Sequence, residues 1–145
     1  MVNTFLPEIG YYESLTRLDQ KRLGKQRVET MQILKALRGE TKGWRTHPAA
    51  RMWQGYEGSL CAYGLISCRV WRTRGYADSL LPYFTQMLKE YPDRQVPWWH
   101  GIKEFHRSHQ SNLIRKDPGR YSLMWPGVPA DLPYYWPVSR ESHVV

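Results

Sequence analysis

Asp19-Gln20-Lys21-Arg22-Leu23-Gly24-Lys25-Gln26-Arg27-Val28-Glu29-Thr30-Met31-Gln32-Ile33-Leu34-Lys35-Ala36-Leu37-Arg38-Gly39 carries both ends of a helix in its own letters. Asp19 is of the type that accepts the free N–H groups of a first turn. Gly39 is of the type that turns left-handed just past a last one. Between them Leu23, Thr30, Leu34 and Leu37 form a stripe at helical spacing. The same signals recur downstream. Pro48 suits the first turn of a short segment from His47 to Gln54. Gly58 to Arg74 is a second long helix, carrying Leu60, Leu65, Cys68 and Trp71 and ended by Gly75. Asp78 or Ser79 caps a third that runs to about Tyr91, with Pro82 in its first turn and Pro92 beyond its end. Pro97 to Lys116 is a fourth, closed by Asp117-Pro118-Gly119. Beyond it Pro126, Pro129, Pro133 and Pro137 exclude a long helix, and Tyr121, Trp125, Tyr134, Tyr135 and Trp136 make the tail too apolar to hang free. No alternating β-branched run announces a strand pair. The expected fold is all-α: a compact single-domain bundle of about four helices over residues 1–145, with the aromatic, Pro-rich C-terminal segment wrapped on it.

Composition narrows the function. The 145 residues fit one ordinary domain, and 41% apolar with 14% aromatic content excludes disorder. Lys and Arg number 21 against 13 Asp and Glu, a net charge of +8 with pI ≈ 9.7. A folded domain this basic meets a polyanion, most often nucleic acid. No apolar run approaches the ~20 residues of a membrane span, and Met-Val-Asn-Thr-Phe-Leu-Pro is not the start of a signal peptide. Cys61 and Cys68, two helical turns and ~10 Å apart, are too distant for a disulfide. The expectation is a monomer with free thiols in a reducing cytoplasm, with no membrane partner.

Lys21 to Glu29 is the most informative segment, with four cations, Lys21, Arg22, Lys25 and Arg27, in nine residues. On a helical wheel Glu29 falls at the edge of the apolar stripe. Arg22 and Gln26 share its strip of surface, with Lys25 one turn before it. One reading is a solvated Lys25–Glu29 pair. The other is a catalytic carboxylate inside a phosphate-binding groove. Elsewhere, Arg45, His47 and Arg51 flank the Pro48 turn, a place that favours an anion. His106 and His109 stand one turn apart, but no carboxylate or Cys cluster completes a metal site, and no metal or other cofactor is expected. Either histidine is a half-buried, hydrogen-bonded group or, with Arg107, Ser111, Asn112, Arg115 and Lys116, part of a phosphate contact. Arg69, Arg72 and Arg74 suit the cation-rich last turn of their helix. Of seven tryptophans most are expected in the core, and Tyr134-Tyr135-Trp136 is the best candidate for stacking on an unpaired base.

Several blocks together resemble a known family. Leu18-Asp19-Gln20, Leu23 and Glu29 look like the start of the phage pyrimidine-dimer DNA glycosylase/AP lyase family of the endonuclease V type. Its bacterial branch is similar over further blocks: Arg17–Glu29, His47-Pro48-Ala49-Ala50-Arg51-Met52-Trp53, Gly55-Tyr56-Glu57 and Arg74-Gly75-Tyr76. Nearer the C-terminus, His109-Gln110-Ser111-Asn112-Leu113, Arg115-Lys116-Asp117-Pro118 and Leu132-Pro133-Tyr134 belong with it. The resemblance implies a compact helical domain that acts on damaged double-stranded DNA without a cofactor. It implies a free N-terminal α-amine that attacks C1′ of the damaged nucleotide, expels the base as an imine forms, and breaks the strand by β-elimination. An α-amine pKa of about 7.7–8.0 leaves a useful neutral fraction near pH 7. The family's nucleophilic Thr is Val2 here, small enough for Met1 to be removed; the amine of Met1 itself is the alternative. The catalytic glutamate falls on Glu29, and the arginine before it is Val28. The rival expectations are a non-catalytic helical nucleic-acid binder and a glycosylase for another altered base.

Overall fold

The computed structural model describes residues 3–137, and among them every regular element is helical. The order is α1 (Tyr11–Arg17), α2 (Gln20–Leu37), α3 (Pro48–Arg51), α4 (Glu57–Thr73), α5 (Leu81–Glu90), α6 (Lys103–Lys116) and α7 (Pro118–Tyr121). The four long helices are those the sequence announces. Of the three short ones, α3 falls in the segment expected from His47, and α1 and α7 are added.

The end signals act as expected where a side chain or a glycine supplies them. The Asp19 carboxylate accepts from the Arg22 N–H, and Gly39 and Gly75 take φ of +80° and +95° just past α2 and α4. Asp78 accepts from the Leu81 N–H at 2.8 Å and so starts α5. The helix expected from Pro97 begins only at Lys103, because Gly101 turns to φ +92° and breaks the run. The segment expected from His47 to Gln54 keeps only Pro48–Arg51 as helix. α1 has no side-chain cap, and nothing in its letters marks its start.

α4 is the central element. α2 and α5 pack along it, and α1 crosses it. The approach to α5 is close: a Cβ at Gly64 would run into the Phe84 ring. Leu23, Ile33, Leu34, Leu60, Tyr63, Trp53, Trp99 and Phe105 are fully buried. Cys61 and Cys68 are buried free thiols, and burial pushes both pKa values up to about 12, so neither is a nucleophile near neutral pH. Among the described residues no helix is long and apolar enough to cross a membrane.

α6 joins the bundle in a different way. It meets the other long helices chiefly through two non-helical segments. Residues 3–7 run through the interior without helix, with Asn3, Thr4, Phe5 and Leu6 buried, and the chain bends from Pro7 out to an exposed Ile9. A buried segment without helix or sheet must find a partner for each backbone group. Here side chains supply them. His106 and His109 hold Leu6, and the Gln110 Nε2 donates to the Pro7 carbonyl at 2.8 Å. The Ser14 hydroxyl accepts from the Glu8 N–H and donates to the Glu8 carbonyl. The same helix holds the aromatic tail from its other side. Ser111 Oγ accepts from the Leu132 N–H, Ser108 Oγ from the Tyr135 N–H, and Arg115 donates to the Ala130 carbonyl. The tail is thus wrapped on the helices, as its composition requires.

Candidate active site

Position 26 is where α2 meets the buried N-terminal segment. Gln26 is 1% exposed. Its Oε1 accepts from the Phe5 N–H at 2.8 Å and lies 2.7 Å from the Tyr63 hydroxyl, which is equally close to the Phe5 carbonyl. Its Nε2 donates to the Asn3 carbonyl at 3.2 Å and to Glu29 Oε1 at 3.4 Å. Glu29 therefore stands beside the start of the described chain.

A cavity of about 260 Å³ opens at this point. Asn3 and Phe5 line it from the N-terminal segment, Lys21, Arg22, Lys25, Gln26 and Glu29 from α2, Lys116 from the end of α6, and Tyr134 from the tail. Four cations face one carboxylate across this space. Arg22 is partly neutralised by Asp19, 3.1 Å away, whereas Glu29 makes no ion pair with Lys25 among the described residues. Burial raises the Glu29 pKa, against the opposing pull of the Asn3 backbone N–H and the Lys25 charge. A half-buried carboxyl that exchanges its proton nearer neutrality, inside a cationic mouth, has the properties of a general acid or base at a phosphate-rich substrate.

The expected site residues divide clearly. Lys21, Arg22, Lys25, Gln26, Glu29 and Lys116 come together on the cavity. Of the α2 set Arg27 does not. The Arg27 guanidinium turns to the far side of the helix, pairs with the Asp78 carboxylate and lies 4.8 Å over the Trp71 ring. Burial alone would raise the Asp78 pKa, and its bonds from Arg27 and the Leu81 N–H outweigh that and hold it down. Gln26 shares the strip of Glu29 but is spent on the backbone of residues 3 and 5.

On α6 the packing alternative holds for four of the candidates. His106 Nδ1 donates to the Leu6 carbonyl and its Nε2 accepts from the Gly101 N–H; His109 Nδ1 accepts from the Leu6 N–H. Ser111 and Asn112 are fully buried, Ser111 on the tail and Asn112 on the Ser108 carbonyl. None of these four presents a polar atom to a phosphate. Arg107 and Arg115 are exposed, Arg115 with one N–H on the Ala130 carbonyl. His47 caps α3 itself, its Nδ1 accepting from the Ala49 N–H at 3.0 Å, so it occupies the place an anion would take there. Arg45 and Arg51 beside it are exposed. From His47 a run of rings leads to the cavity: His47 to Trp136 at 5.7 Å, and Trp136 to Tyr134 at 5.0 Å. Of the three tail aromatics, Tyr135 is core and Tyr134 lines the cavity. Met1 and Val2 lie outside the described residues.

Asn3 and Phe5 as cavity walls escape a sequence reading, whereas Tyr134 is one of the tail aromatics it singles out. The placement of the first two follows from bonds to residues distant in the chain, and no local pattern encodes it.

Compared with known protein families, residues 2–81 match one described as pyrimidine dimer DNA glycosylase, which is more than half of the chain. No curated protein and no solved structure matches.

Proposed function

The chain belongs to the pyrimidine dimer DNA glycosylase family, and from that premise we propose that it excises the dimer by amine chemistry and then cuts the strand as an AP lyase. The α-amine at the chain's start attacks C1′ of the damaged nucleotide. The bond from C1′ to the base breaks and the base leaves with the electron pair; the C1′–O4′ bond of the sugar then opens, O4′ takes a proton lost by the amine, and an imine forms between the amine and C1′. Loss of a proton from C2′ then expels the 3′ phosphate by β-elimination, with the imine as the electron sink. Glu29 steadies the cationic sugar and carries the protons. Lys21, Arg22, Lys25 and Lys116 hold the phosphates on either side, with Arg45, Arg51, Arg107 and Arg115 as outlying contacts along a duplex.

The observation that carries this reading is the meeting of Glu29 with the N-terminal segment in one cationic cavity. The Asn3 backbone N–H bonds to Glu29. Consecutive Cα atoms are about 3.8 Å apart, so the amine of Val2, freed by removal of Met1, is one residue from that bond. No lysine is needed as nucleophile, because an α-amine already has the lower pKa. The test is borohydride trapping on duplex DNA carrying one abasic site. The expected result is a covalent adduct on the first residue of the protein. An adduct mapped to a lysine, or none from a protein with a free N-terminus, overturns it. Blocking the α-amine separates the enzyme from a plain DNA binder, since only the enzyme loses its chemistry.

A further inference from the structure

Glu29 sits on a rigid helix, whereas the amine sits at the end of a segment with no secondary structure of its own. Something must fix one against the other. A misplacement of about 1 Å between reacting groups costs on the order of a hundredfold in rate. We infer that Gln26 is the positioning residue that sets the register between the chain's start and the catalytic carboxylate. The inference rests on the amine reading above.

Beside the direct bond from the Asn3 N–H to Glu29, one buried amide gathers Phe5, Asn3 and Glu29 on a single side chain. Its carbonyl oxygen takes the Phe5 N–H, and its NH₂ group bridges the Asn3 carbonyl and Glu29 Oε1. The orientation of the amide is forced. Flipped over, it would set its NH₂ against the Phe5 N–H and its oxygen against the Asn3 carbonyl and the Glu29 carboxylate, which are like-with-like contacts. The Tyr63 hydroxyl, from α4, closes the same oxygen from behind. A residue placed only to fill the core at this position would be a leucine, as at Leu23 one turn earlier, which is fully buried. Instead the position carries a group with acceptor and donor on opposite sides, and each side faces its complement.

Gln26→Glu keeps the acceptor and converts the donor into a titratable one. Deprotonated, the second oxygen faces the Asn3 carbonyl and Glu29 and pushes both away. Protonated, its O–H restores a donor on the same side. The experiment compares single-turnover imine trapping on abasic-site duplex by wild type and Gln26→Glu from pH 5 to 8, with thermal melts at each pH. At pH 7.5–8 the variant is expected to be about ten- to a hundredfold slower. Its rate relative to wild type then rises toward one as the pH falls.

A Gln26→Glu protein that is folded and equal to wild type throughout overturns the inference. So does one that is slower by the same factor at every pH, since a packing defect has no proton to regain. If the variant melts before pH 7.5, the ratio is read between pH 5 and 6.5, where the same upward trend toward acid is required. A wild type that yields no adduct at all overturns the amine reading, and this inference with it. A wild-type adduct with a flat ratio overturns the inference alone.

Discussion

His106 and His109 grip the two backbone groups of a single residue: one donates to the Leu6 carbonyl at 2.8 Å, and the other accepts from the Leu6 N–H at 2.9 Å. Both rings are therefore held neutral, each in a fixed tautomer. Burial pushes the His109 pKa down to about 3, and burial lowers that of His106 as well.

That arrangement makes the fold sensitive to acid. The unfolded chain takes up a proton at each histidine below about 6.5, and the folded chain does not. The stabilisation is complete above the unfolded pKa and is lost as the pH falls from there toward the folded value. His109 alone contributes a slope of about 1.4 kcal/mol per pH unit, so urea melts at pH 7.5 and pH 5 are expected to differ by about 2 kcal/mol or more. His109→Gln keeps an acceptor for Leu6 but not the titration, and its stability is expected to vary less over the same interval. A wild type equally stable at both pH values contradicts this account.

Glu29→Gln tests the carboxylate. The residue is half-buried at the cavity wall and has no ion-pair partner to strand, so the variant is expected to fold normally. Removing a negative charge from a cationic mouth leaves DNA affinity equal or higher. Strand cleavage in a single turnover is expected to fall on the order of 10²–10⁴. The comparison is a cleavage time course on duplex with one cyclobutane dimer beside a filter-binding titration of the same duplex. Wild-type cleavage would return Glu29 to the solvated partner of Lys25; loss of affinity together with cleavage would make it structural.

The cations predict a salt dependence. Lys25 and Lys116 approach the cavity from two helices, and Arg51 lies farther out near α3. Each phosphate contact adds roughly −0.9 to the slope of log K against log salt concentration. Lys25→Ala and Lys116→Ala are each expected to flatten the slope by up to about one unit, and Arg51→Ala by less. A wild-type slope near zero removes the nucleic-acid reading.

Arg27 is expected to behave oppositely. Its partner Asp78 has no exposed side-chain surface. Arg27→Met strands a buried carboxylate, a loss of about 3–5 kcal/mol in stability. The DNA salt slope of the fraction that stays folded is expected to be unchanged. A flattened slope would put Arg27 back among the phosphate contacts.

The helices were legible because their signals are local. A cap, a left-handed glycine or a proline acts within a turn of where it stands, as at Asp19, Gly39 and Pro82. α1 was silent because Gly10 precedes it with no capping side chain. Half of the site was legible for the same reason: Lys21, Arg22, Lys25 and Glu29 share one helix face. Elsewhere two readings stayed open. Gln26, His106, His109, Ser111 and Asn112 have the donors and acceptors that phosphate binding uses, and those same groups suit the gripping of a buried main chain. The two uses differ only in what lies opposite; for Asn112 that is a carbonyl of its own helix, and for the others it is backbone 21 to 103 residues away.

The threading of residues 3–7 beneath α6 also orders events in time. A ribosome delivers this segment first, yet the side chains that hold Leu6 and Pro7 arrive 100 residues or more later. Until they emerge, Leu6 and Pro7 lack the groups that hold them. On the amine reading proposed above, a nascent chain would gain strand-cutting activity only once α6 has formed, and a translation product interrupted before α6 would leave DNA intact.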